Sequence, residues 1–145
     1  MRDREVVQVM RWELQVKTEL ATLRLVRRLA RRVAEREGAS LDVAMEVEFA
    51  IGEVLRNAQQ HAYREQAGDL RVEMRVERGE FWCMIRDHGE PIVDLPRVPA
   101  SHVGPWAPGR GLYMISQLVD AVEILRPEDG GQGVAVIVRK RLTQT

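Results

Sequence analysis

The stretch Glu53-Val54-Leu55-Arg56-Asn57-Ala58-Gln59-Gln60-His61-Ala62-Tyr63 sets a carboxylate and a carboxamide four residues apart inside a helix-forming segment. At that spacing Glu53 and Asn57 leave the same side of a helix. Gln60 and His61 continue this polar stripe, while Val47, Ile51, Val54 and Ala58 form the side that a core would bury. A carboxylate beside an amide oxygen can hold a hydrated Mg²⁺ and orient a nucleophile. Taken alone, the same pair also fits the solvent side of an ordinary amphipathic helix.

Working outward, the spacing predicts this helix over residues 41–62, with Ser40 as its N-cap and Asp42 complementing the dipole in its first turn. Upstream, Leu20, Leu23, Val26, Leu29, Ala30 and Val33 mark a helix face over 18–37, and Gly38 supplies its C-terminal stop. The Val-rich, partly alternating residues 6–16 predict a strand. Downstream, strands are expected near 70–77 and 80–86, joined by a turn at Arg78-Gly79. Five prolines fall between residues 89 and 110, so no long regular element fits there. A loop of that length in so small a chain is rare, and usually functional or mobile. A third helix is expected from Gly111 to about Val119, then strands near 120–126 and 133–141 flanking a turn at 127–131. The order β-α-α-β-β-α-β-β predicts an α+β, two-layer sandwich, its mixed and mostly antiparallel sheet carrying helices on one face. The expectation is a single domain over 1–145.

With 45% hydrophobic and 30% charged residues the composition is that of an ordinary globular chain. Lys+Arg and Asp+Glu both number 22, and zero net charge argues against a dedicated nucleic-acid binder. The lone cysteine, Cys83, cannot form an internal disulfide and suits a reducing compartment; in an apolar strand it reads as a small buried hydrophobe. No apolar run approaches membrane-spanning length and no signal-peptide core follows the charged start, so a cytoplasmic location without membrane contact is expected. His61, His88 and His102 lack the spacing of metal ligands. Arg24, Arg27, Arg28, Arg31, Arg32 and Arg36 make the first helix basic, either a solvated face or a docking surface for an acidic partner. Trp106, in the Pro-rich loop, is a residue that could cap a nucleotide, meet a partner or pack that loop.

Two further features carry chemistry. Ile85-Arg86-Asp87-His88-Gly89 delivers an Asp from the end of an apolar strand into a glycine turn. Such an Asp can accept a hydrogen bond from the exocyclic amine of a base, though Asp-x-Gly is also ordinary turn chemistry. Pro108-Gly109-Arg110-Gly111-Leu112-Tyr113-Met114-Ile115 ends a flexible stretch in glycines that open a helix, an arrangement suited to phosphates. It is neither a Walker A loop nor a Rossmann turn.

In this order and spacing the three features resemble the gyrase–chaperone–histidine-kinase–MutL ATPase superfamily. Within it, Glu53-x-x-x-Asn57-Ala-x-x-His61-Ala-Tyr63 and Gly109-Arg-Gly111-Leu112-Tyr113 resemble the anti-sigma-factor serine kinases of the RsbW and SpoIIAB type. The resemblance covers nearly the whole chain and implies a histidine-kinase-like ATPase fold. It implies ATP and Mg²⁺ as ligands, with Asn57 as the Mg²⁺ ligand and Glu53 as the base that positions a serine hydroxyl or water. It further implies that Asp87 and Gly89 receive the adenine, that His61 and Leu112 belong to the nucleotide boxes, and that Gly109, Arg110 and Gly111 wrap the phosphates beneath a lid at 90–108. The partners it implies are a sigma factor and an anti-anti-sigma (STAS) protein, and it allows a homodimer.

Three positions depart from the pattern: Glu90-Pro91 replaces a second glycine, Gly133-Val134-Ala135 lacks a Thr often found there, and Arg110 replaces an often apolar residue. They leave open a non-catalytic, nucleotide-gated or nucleotide-free protein-binding regulator. A detached histidine-kinase catalytic domain is the third option.

Overall fold

The computed structural model describes residues 9–62, 68–88, 110–126 and 133–143. Its elements are β1 (Met10–Lys17), α1 (Leu20–Arg36), α2 (Leu41–Asn57), β2 (Asp69–Glu77), β3 (Glu80–Asp87), α3 (Arg110–Leu118), β4 (Ala121–Leu125) and β5 (Ala135–Arg141). This is the element order expected from the pattern. The five strands form one sheet in the order β1-β2-β3-β5-β4, and all four pairings are antiparallel. The turn expected at 127–131 lies outside the described residues.

Local chemistry accounts for the element ends. Ser40 accepts a hydrogen bond from the Val43 N–H and caps α2, with Asp42 in its first turn. Gly38 ends the α1 segment at φ +97°. Arg78 and Gly79 both have positive φ, 51° and 75°, the pair a tight hairpin needs to match strand twist.

One face of the sheet is covered by helices. Alternation puts Trp12, Leu14 and Val16 of β1, Leu70, Val72, Met74 and Val76 of β2, and Phe81, Cys83 and Ile85 of β3 on that face. Against them pack Leu23, Val26, Ala30 and Val33 of α1, Val47, Ile51, Val54 and Leu55 of α2, and Leu112 and Ile115 of α3. Burying each such side chain contributes about 1.5–3 kcal/mol, so the phase of each helix is strongly held. Lys140 of β5 shares this face and reaches Glu46 of α2 at 2.6 Å. Leu20, which helical periodicity assigns to the buried face of α1, is instead 60% exposed; it is the first residue of the helix, and burial begins at Leu23. Leu29 is only half-buried. Ala58 is likewise packed only partly against the core.

The opposite face carries a polar network that the sequence pattern did not announce. Glu73 is buried on β2 between Arg11 Nε at 3.1 Å and Arg75 Nε at 3.5 Å. Arg75 in turn lies 3.8 Å from the ring centre of its cross-strand neighbour Trp82.

Cys83 is buried, as its strand position implies, and burial followed by the nearby Glu73 charge pushes its thiol far above the ordinary range. Alkylation with iodoacetamide at mildly alkaline pH, read by mass spectrometry, is expected to fail on the native chain and proceed rapidly in concentrated urea.

Candidate functional site

Glu53 and Asn57 emerge from α2 one turn apart, on a side that Val47, Ile51 and Val54 leave free of the core. Both are half-buried, and the Glu53 side chain is 16% exposed. Its carboxylate lies 3.4 Å from Arg56 Nη2. That partner is 60% exposed, and such surface pairs contribute little energy.

Beyond Asn57 the helix does not run on regularly. Residues Ala58–Ala62 form a π-helical turn. Such turns are rare and concentrate at functional sites, since one extra residue in the turn redirects the chain beyond it. The expected α-helix over 41–62 is therefore α-helical only to Asn57. Gln59, within the π turn, donates through Nε2 to the Thr18 carbonyl at 3.1 Å. Thr18 is buried at the β1–α1 junction; its N–H donates to the Gly68 carbonyl and its Oγ1 accepts from the Gly68 N–H, both at 2.9 Å. This knot ties the end of α2, the start of α1 and the entry to β2. His61 lies in the same π turn; Tyr63 lies outside the described residues.

Asp87 ends β3 on the helix-covered face and is 7% exposed. Its backbone N–H donates to the Val134 carbonyl at 3.0 Å, and its Oδ1 accepts from the Val134 N–H at 3.2 Å. Gly133 stands beside it at φ +98°, where a Cβ would lie 2.3 Å from the Asp87 carbonyl oxygen. Residues 133–134 thus form a backbone cradle that holds the Asp87 carboxylate by a main-chain donor. The absent Thr leaves this contact intact, since it needs only the peptide N–H. Sequence reasoning missed the cradle; its one signal was a glycine directly before an apolar strand.

The third candidate element, α3, begins at Arg110, so Arg110, Gly111 and Leu112 make its first turn. Leu112 is 4% exposed within the core, so its side chain anchors α3 and only its backbone N–H remains for a ligand. α3 packs against α2. Gly89, Gly109, the segment 90–108 and Trp106 lie outside the described residues. Asp87 thus lies at the end of β3 on the helix-covered face, while Glu53 and Asn57 leave α2, the helix against which α3 packs.

The sequence profile described as "Histidine kinase-like ATPase domain" matches residues 16–140, spanning β1 to β5 and every described candidate residue. The chain belongs to this family. Relatives of this histidine kinase-like ATPase domain include the serine-protein kinase RsbW of Bacillus cereus (strain AH187), 27% identical, covering 88% of this chain and 82% of the relative. RsbW of Bacillus thuringiensis (strain Al Hakam) is 26% identical over the same shares. Among solved structures, the RsbU and RsbW domains of Rv1364c from Mycobacterium tuberculosis superpose with a TM-score of 0.65 at 19% identity, covering 94% of this chain and 33% of that one. The histidine kinase domain of the Erythrobacter litoralis EL346 blue-light activated histidine kinase gives 0.54 at 22%, covering 84% and 60% respectively. These two likenesses establish the expected histidine-kinase-like ATPase fold.

The cradle yields a sharp expectation. Gly133→Ala adds a Cβ at a positive φ and against a backbone oxygen that cannot move alone, so it should cost of order 3 kcal/mol. Chemical denaturation would show this, whereas Val134→Thr should leave stability within about 1 kcal/mol.

Proposed function

We propose that this chain is an anti-sigma-factor-like protein serine kinase. It binds Mg-ATP, transfers the γ-phosphoryl group to a serine of a STAS-type antagonist, and sequesters a sigma factor when that antagonist is not available. The reading rests most directly on Glu53 and Asn57, paired on the uncommitted side of a helix whose other side is core. Membership of the histidine kinase-like ATPase family and the similarity to RsbW kinases support it.

In this scheme the Glu53 carboxylate accepts the serine proton while that oxygen bonds to the γ-phosphorus. The bond from the γ-phosphorus to the bridging oxygen breaks, and ADP leaves with that electron pair. Asn57 contributes an amide oxygen to Mg²⁺, which lowers the charge repulsion between phosphates and nucleophile. Among the described residues no group of three or more His, Cys, Asp or Glu could form a metal cage. Mg²⁺ is usually held by one or two protein oxygens together with substrate phosphates and water. Asp87 accepts from the adenine amine, its carboxylate oriented by the Val134 N–H. The first turn of α3, with Gly109, Arg110 and Gly111, meets the phosphates. Catalysis by position and charge neutralisation needs no larger residue set.

The chain would act away from membranes, and no described helix is long and apolar enough to cross one. The competing reading is a protein-binding regulator that uses nucleotide only as a conformational ligand or not at all.

Three variants separate these readings. Glu53→Gln should lower phosphotransfer by about 10²–10⁴-fold while leaving the Kd for Mg-ADP within about threefold. Asn57→Ala should abolish measurable Mg-ADP binding in calorimetry. Asp87→Asn should weaken ADP at least about tenfold with less effect on GDP. A wild-type chain that gives no binding heat with Mg-ADP and no transfer would exclude the kinase reading and leave the regulator.

A further inference from the structure

Two surface features of the α1–α2 hairpin stand outside the nucleotide site. On α2, Leu41, Met45 and Phe49 are 59%, 51% and 44% exposed and recur every four residues, forming one apolar ridge. On α1, six arginines and one glutamate give a local charge of +5 in a chain of zero net charge. Arg27 and Arg31 turn toward α2, where Arg27 Nε lies 3.6 Å and Arg31 Nη1 3.2 Å from the Glu48 carboxylate. The Arg27 stem also crosses Gly52, so close that a Cβ there would lie 2.7 Å from its Cδ. Arg24, Arg28 and Arg32 are exposed and enter no ion pair among the described residues. Arg27 and Arg31 thus line the α1 side of α2, and Arg24 and Arg28, three residues before each of them, add unpaired charge to the same helix.

We propose that this ridge is the docking surface for the protein that supplies the accepting hydroxyl, and that the occupant carries an apolar patch bordered by carboxylates. The inference rests on the kinase reading and extends it to the partner. Its first support is continuity: Phe49 precedes Glu53 by one turn, so the ridge runs about 18 Å along α2 from Leu41 to the candidate base. A serine side chain offers little binding energy of its own, so a protein substrate must be held by surface remote from the reacting atom. Phe49 and Met45 are of the types enriched at interface cores, and arginine suits the rim. The second support is charge. Unpaired guanidinium groups beside the ridge favour an acidic border and accelerate encounter with it. A neutral or basic occupant would leave them without partners.

The test uses the STAS-domain proteins of the source organism as probes, in two separate measurements. Calorimetry in Mg-ADP reads docking without transfer; labelled ATP reads transfer. Met45→Glu and Phe49→Glu should each raise the Kd for the probe, and its KM in transfer, at least about tenfold. The double variant Arg24→Glu/Arg28→Glu should weaken binding and flatten its dependence on salt. In every variant the affinity for a fluorescent ADP analogue should stay within about twofold, because no substituted residue belongs to the nucleotide site. Unchanged probe affinity in all three variants, or a wild-type chain that binds none of the probes, overturns the docking surface. A wild-type dimer that Phe49→Glu dissociates overturns it in favour of a second copy on the ridge. Docking that persists without any transfer overturns the kinase reading alone.

Discussion

Everything in this molecule depends on how α2 is seated. Val47, Ile51, Val54 and Leu55 are nearly inaccessible, wedged between the sheet and the neighbouring helices. Rotating α2 by a single residue, about 100°, would expose most of them and forfeit several kcal/mol. That constraint fixes the rotation of the helix, and with it the direction in which Glu53 and Asn57 leave. The polar pair needs no steering of its own; it occupies the side the core does not use. The exposed ridge Leu41–Met45–Phe49 is the other consequence of the same phase, and it is not consumed by the core either.

Around this seat the structure adds restraints made by the backbone. The Thr18–Gly68–Gln59 knot holds the end of α2 where the helix widens into a π turn. The Gly133–Val134 cradle does the same for Asp87. Both are built largely from main-chain donors and acceptors, which lose less conformational entropy than long side chains and hold position well. Two segments joined by side-chain contacts alone would give a looser site.

Much of the fold was legible from local patterns. The turn at Arg78-Gly79, the cap at Ser40 and the stop at Gly38 are short-range effects, and each element stands close to where its pattern puts it. Glu53, Asn57 and Asp87 stand out as candidates for the same reason: each is a polar residue at a fixed offset from an apolar series. Leu20 departs from the pattern because helical periodicity gives a residue's side of the helix but not whether anything packs over the helix end. The burial of Glu73 was invisible, because its partner Arg11 comes from β1, a strand distant in the chain and brought beside β2 only by sheet pairing.

By itself the sequence determined the element order and most of the core-facing side of α1 and α2, and it marked candidate residues for chemistry, because periodicity and capping act over a few neighbouring residues. Only the tertiary structure decided which of those residues share a boundary. The bond that ties Gln59 of the π turn to Thr18, the cradle that brings Gly133 against Asp87, and the arginines of α1 set against Glu48 of α2 all come from pairings distant in the chain. Such pairings are selected by the sum of packing over the whole core, which no local stretch encodes. The sequence named a carboxylate, an amide and an aspartate; packing set the first two on one side of α2 and held the third against Val134 at the end of β3.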